Sequence, residues 1–125
     1  MPSSATEGPG PAADRLRVDL RLHDRAVVVS AAGELDQDSV GLLHERLVEA
    51  LGTPGADRLV VDCARLLFCD STGLNALLTA RRDAESAGRE LVLADLQPAV
   101  ARVFEITGAG AVFEIRPDLE SAVAR

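Results

Sequence analysis

Asp70-Ser71-Thr72-Gly73 places a carboxylate, two hydroxyls and a glycine between the apolar runs Leu66–Cys69 and Leu74–Leu78. A nucleophile, a phosphate cradle, an acceptor of a phosphoryl group and a plain helix cap all begin from such a junction. A serine hydrolase needs a base near Ser71, and only His23 and His44 are available. Its Gly-x-Ser-x-Gly elbow is also missing, since Phe68-Cys69 precede Asp70. A receiver-type aspartyl phosphate on Asp70 would normally come with an acidic pair for magnesium and a lysine for the phosphoryl group. All 13 basic residues are arginine. The same absence removes phosphate-loop nucleotide binding and Schiff-base chemistry. Cys69 as a phosphatase-type nucleophile would want an arginine six residues on, where Asn75 stands.

Cys63, Cys69, His23 and His44 supply four metal donors by count, but their spacing matches no metal motif, so no metal or other cofactor is expected. Two free, buried thiols are the expectation for a cytoplasmic chain. Two readings of the junction remain: Asp70 or Ser71 caps a helix, or Ser71 receives a phosphate from a partner kinase. If the helix starts at Ser71, its unpaired N–H groups and dipole favour a negative group there. Gly73 would let another surface approach the backbone closely.

The elements that must position this junction follow from periodicity. Residues 1–14 are Pro- and Gly-rich and read as a disordered tail, with one folded domain over 15–125. Leu16, Val18, Leu20 and Leu22 alternate with charged residues as a half-buried strand, and Ala26 to Ala32 reads as a more buried one. The two are placed to pair as a hairpin through His23-Asp24-Arg25. Asp38 or Ser39 can cap a helix burying Val40, Leu43, Leu47 and Leu51 and stopping at Gly52. Leu59-Val60-Val61 is a short buried strand. A helix from the junction runs to Gly88, Leu91-Val92-Leu93 forms the next strand, and Pro98 opens a helix closed by Gly108. Val112, Phe113 and Ile115 make a last strand before a short helix at Pro117-Asp118. The order is β-β-α-β-α-β-α-β-α, an α/β fold with a mixed, largely parallel sheet of about five strands and about four helices.

The chain of 125 residues is 47% hydrophobic, enough for a core without disulfides. No window has the apolar length of a membrane span, and no secretory signal is visible. A net charge of −7 argues against direct nucleic-acid binding. Arg81 and Arg82 fit a solvated helix face, as does Asn75, which is also placed to touch a partner. Leu74 suits the core stripe and a partner anchor equally well.

FCDSTGLNALL (residues 68–78), LVLADLQPAVARVFEITGAGAVFEI (91–115) and GELD (33–36), in the order the family has them, resemble the STAS domain of anti-sigma factor antagonists. The resemblance spans the whole folded part and departs in having Cys69 where Met or Ile is frequent. It implies the STAS fold and a regulator rather than an enzyme. An anti-sigma factor of the GHKL-ATPase kinase type would phosphorylate Ser71, with Thr72 the lesser candidate, and a PP2C-type phosphatase would reverse it. Unphosphorylated antagonist would hold the anti-sigma factor and free the sigma factor. The partner-binding residues it implies are Glu34, Asp36, Asp70, Ser71, Thr72, Gly73, Leu74 and Asn75. A phosphoserine adds about −1.5 to −2 charges. Each carboxylate about 6 Å away would repel it by roughly 1–3 kcal/mol per unit charge. Other STAS modules bind nucleotides, lipids or other regulators, so the resemblance leaves small-molecule sensing without serine phosphorylation as the alternative.

Overall fold

A computed structural model describes residues 15–124; the tail expected over residues 1–14 lies outside the described residues. The five strands are β1 (Leu16–His23), β2 (Ala26–Leu35), β3 (Arg58–Cys69), β4 (Glu90–Ala94) and β5 (Glu114–Arg116). They lie side by side in chain order, β1 antiparallel to β2 and every later pair parallel. The helices are α1 (Val40–Leu51), α2 (Ser71–Ser86), α3 (Pro98–Thr107) and α4 (Leu119–Val123).

Sequential strand order fixes where the helices go. Parallel crossovers are right-handed in nearly all proteins, and successive crossovers here step the same way, which puts α1, α2 and α3 on one face of the sheet. That face carries the main core: Val27, Val29, Leu59, Val61, Leu91 and Leu93 pack with Leu43 and Leu47 of α1, Leu77 of α2, and Val100 and Phe104 of α3. Full burial of each such side chain contributes about 1.5–3 kcal/mol. The intervening residues Ala26, Val28, Val60, Val92 and Ala94 face the other way and are covered by α4 through Ala122. Arg58, 7% exposed, ties α4 down: Nη1 donates to the carbonyls of Ala122 at 2.9 Å and Ala124 at 3.0 Å, while Nη2 pairs with Glu90 at 2.7 Å.

The expected hairpin is present, its tight turn made by Asp24 and Arg25, with Asp24 in the left-handed region at φ 56°. Aspartate tolerates that conformation better than most residues. Three expectations are corrected. β3 is not a three-residue strand but runs on to Cys69, with two register shifts against β2, one between Ser30 and Ala32 and one between Gly33 and Glu34. The final strand starts at Glu114 rather than Val112, because a 3-10 turn over Ala109–Ala111 follows Gly108 and turns Phe113 into the core against Phe104, ring centroids 5.4 Å apart. Ser39 stands at the N-cap of α1 without capping it; its hydroxyl is used elsewhere.

Candidate functional site

β3 delivers the junction and α2 carries it. Asp70 is the N-cap of α2: its backbone is extended, and its carboxylate accepts the Gly73 N–H at 2.9 Å. The cap occupies one of the helix's unpaired donors. Ser71 and Thr72 follow in the first turn with both side chains exposed, and among the described residues neither hydroxyl is hydrogen-bonded. Asn75 is exposed one turn on, whereas Leu74, 6% exposed, belongs to the core and shows only an edge. Ser71, Thr72, Leu74, Asn75 and Leu78 line a shallow open depression.

The end of β2 forms a ledge beside this turn. Asp70 N–H donates to the Leu35 carbonyl at 3.1 Å, and Leu35 pairs in register with Cys69. Gly73 does admit a close neighbour, but that neighbour is the chain's own Leu35. A Cβ on Gly73 would lie 2.6 Å from Leu35 Cγ and 3.0 Å from its carbonyl oxygen. The structure thus brings Glu34-Leu35-Asp36 against Asp70-Ser71-Thr72-Gly73, two motifs about 35 residues apart in the sequence.

Asp36 holds the ledge in shape. Its carboxylate accepts the backbone N–H groups of Asp38 at 3.0 Å and Ser39 at 3.1 Å, and binds Arg15 Nη2 at 2.5 Å. The Ser39 hydroxyl donates to the Glu34 carbonyl at 2.8 Å and accepts the Asp36 N–H at 3.0 Å. Desolvation pushes the Asp36 carboxyl upward, but the Asp38 N–H, the Arg15 charge and the two groups of Ser39 outweigh it and hold it below the usual 3.8. At 7% exposed, Asp36 shapes the turn rather than presenting a charge at the surface. Glu34 is exposed, 3.7 Å from the same guanidinium. Arg15 therefore offsets part of the negative charge that the sequence places beside Ser71.

Sequence reasoning misses Arg15, and it offers Ser39 only as a helix cap rather than as a brace of the ledge. Arg15 was legible in the hairpin: His23 faces Ala26 and Leu16 faces Gly33, so the next pair out is Arg15 with Glu34. Gly33, at φ 115°, is required there, since a Cβ would fall 1.9 Å from the Arg15 carbonyl oxygen. Cys63 and Cys69 are both free and buried, and burial, with the nearby carboxylates adding, pushes each thiol up to about 12. Among the described residues no cluster of metal-ligating side chains occurs, and no helix is long and apolar enough to cross a membrane.

The family model described as "Mlab, STAS domain" matches residues 14–117. The anti-sigma-B factor antagonist of Bacillus subtilis is 32% identical over 108 residues, covering 86% of this chain and 97% of that one. Among solved structures, an anti-sigma factor antagonist from Mycobacterium paratuberculosis superposes with a TM-score of 0.79 at 24% identity, covering 91% of this chain and 94% of that one. The anti-sigma factor antagonist SpoIIAA in its unphosphorylated form superposes with a TM-score of 0.72 at 25% identity, covering 86% and 93%.

Proposed function

The chain belongs to the STAS-domain family, and from that premise we propose that it is an anti-sigma factor antagonist whose hold on its partner is switched by phosphorylation of Ser71. The observation that carries this reading is the Ser71 hydroxyl: exposed, uncommitted, and fixed at the first turn of α2 by the Asp70 cap and the Leu35 ledge. The B. subtilis relative is named for antagonism of an anti-sigma factor, and SpoIIAA for having an unphosphorylated form.

The reaction is a phosphoryl transfer. Ser71 Oγ attacks the γ-phosphorus of ATP held by the anti-sigma factor kinase, the bond to the β–γ bridging oxygen breaks, ADP leaves, and the hydroxyl proton passes to a base of the kinase. This chain contributes the acceptor and its placement. It is a substrate and a binding partner, not an enzyme, and it acts in the cytoplasm.

Charge then does the switching. Arg15 pairs with Asp36 and lies 3.7 Å from Glu34, so the unmodified corner carries less net negative charge than its three carboxylates. A phosphate adds about −1.5 to −2 charges at once. In the free protein the N-terminus of α2 stabilises it. Inside a closed interface the dianion would be desolvated beside Glu34 and Asp70, and the complex is expected to weaken by orders of magnitude. No refolding is needed. A PP2C-type phosphatase restores the binding form. The residues that meet the partner are Glu34, Asp70, Ser71, Thr72 and Asn75, with Asp36, Gly73 and Leu74 supporting them from beneath.

The test is to incubate the chain with each purified GHKL-type anti-sigma factor of the source genome and ATP-magnesium, and to map the phosphate by peptide mass. The expected result is one phosphate on Ser71, retained in Thr72→Ala and absent from Ser71→Ala. If none of these kinases labels the chain, or if Ser71→Ala is labelled like wild type, the reading is wrong.

A further inference from the structure

Two consecutive large apolar side chains stand in solvent at the end of β3: Leu67 is 61% exposed and Phe68 48%. Their neighbours on either side, Leu66 and Cys69, are 1% and 2% exposed and lie in the same core. A regular strand cannot produce this pattern, because residues three apart point to opposite faces. The register supplies the cause. Gly33 pairs with Leu66 and Glu34 with Phe68, so Leu67 has no opposite residue on β2. This β-bulge adds one residue to β3 and turns Leu67 and Phe68 outward together.

We infer that Leu67 and Phe68 are the apolar anchor by which this chain docks the anti-sigma factor kinase, an inference that rests on Ser71 being that kinase's target. Leu67 and Phe68 lie four and three residues before Ser71. Even a fully extended chain spans no more than about 3.6 Å per residue, so both α-carbons are within about 15 Å of Ser71. A standard interface buries roughly 800 Å² on each partner, a disc about 16 Å in radius. An interface of that size centred on Ser71 is wide enough to take in this pair.

Continuity and chemistry point the same way. Phe68 sits in register with Glu34, so the apolar pair borders the ledge directly. The rest of that surface, Glu34, Ser71, Thr72 and Asn75, is polar. Polar rims give specificity, whereas affinity concentrates in a few large side chains that become fully desolvated. The other exposed large apolar residues, Leu22 on β1, Val48 on α1, Ile106 on α3, Val112 after the 3-10 turn and Ile115 on β5, stand away from this junction in the sequence, and no two of them are consecutive. Single exposed apolar residues of that kind are ordinary.

The experiment uses the purified kinase that phosphorylates Ser71, and compares wild type, Leu67→Ala/Phe68→Ala and Ser71→Asp. For the double variant, KM for phosphorylation should rise about tenfold or more with kcat held within about twofold, the signature of lost binding rather than lost chemistry. Circular-dichroism melts should coincide with wild type, since the side chains removed are exposed. Unchanged KM overturns the inference while leaving Ser71 phosphorylation intact; wild-type binding by Ser71→Asp overturns the switch itself. Replacing Phe68 by the photo-crosslinker p-benzoylphenylalanine gives a second readout that leaves the side chain's bulk in place. Crosslinks to the kinase are expected, and their absence counts against the inference. If wild type sediments as a dimer that the double variant dissociates, a second copy covers the pair and the inference fails.

Discussion

Gly73 sits so close to Leu35 that a methyl group on it would lie 2.6 Å from Leu35 Cγ, 2.9 Å from Cδ2 and 3.0 Å from the Leu35 carbonyl oxygen. That carbonyl also accepts the Asp70 N–H. One residue at the end of β2 therefore fixes both the cap and the first turn of α2, and with them the position of Ser71.

Gly73→Ala should force the ledge and the helix apart. Overpacking of this kind costs about 1–3 kcal/mol, against a gain of up to about 1 kcal/mol from replacing glycine in a helix. A net loss is expected, read as a lower urea midpoint by circular dichroism, and in Gly73→Ala/Leu35→Ala the two losses should sum to less than the single variants give separately. A Gly73→Ala protein as stable as wild type would mean the contact is slack.

Asp70 is expected to divide stability from recognition. Asp70→Ala loses the cap and about 1 kcal/mol, whereas Asp70→Asn keeps an acceptor for Gly73 N–H and stays within a few tenths of wild type. Equal losses in the two variants would show that charge, rather than the hydrogen bond, is what Asp70 contributes.

Asp36 predicts a pH dependence of definite sign. Its carboxyl is held below the ordinary 3.8 in the folded chain, so the ionised form stabilises folding. That contribution is fully present above 3.8 and is lost as the pH falls through the lowered value. Asp36→Asn should be less stable than wild type at neutral pH, with the gap closing as the solution is acidified below 3.8. A gap that stays constant down that range would place the stabilisation elsewhere.

Arg58→Ala removes both donors to the α4 carbonyls and the pair with Glu90. A loss of about 2–4 kcal/mol is expected for a buried charged donor of this kind. Limited proteolysis should then clip the C-terminal helix well before the rest of the chain. Clipping at the wild-type rate would contradict this anchoring role.

Cys63 and Cys69 should resist iodoacetamide in the folded chain at mildly alkaline pH and both react once urea unfolds it. Their thiols are buried and pushed up to about 12, which leaves almost no thiolate. Rapid labelling of native Cys69 would reveal a reactive thiol beside the Ser71 turn.

Most of the architecture was legible because it rests on local periodicity. The β1 alternation, the apolar stripes of α1 and α2, and Pro98 and Gly108 bracketing α3 each name an element without reference to the rest of the chain. β3 is longer than its sequence suggests for the opposite reason. Asp62-Cys63-Ala64-Arg65 breaks the alternation, and only the pairing with β2 shows bulges where the sequence suggests an end. The Asp-Ser-Thr-Gly junction and the ledge were found by motif. No motif marks Arg15 or Ser39: Arg15 is reached only by extending the hairpin register, and Ser39 acts through partners that the fold brings to it.

Whether a phosphate on Ser71 breaks the complex is decided by calorimetric titration of one kinase with three forms of the chain. Wild type and Ser71→Ala should bind alike, and Ser71-phosphorylated chain should bind about a hundredfold or more weakly. Equal affinity for all three forms would mean that phosphorylation switches nothing and leave Ser71 as the first residue of a well-capped helix.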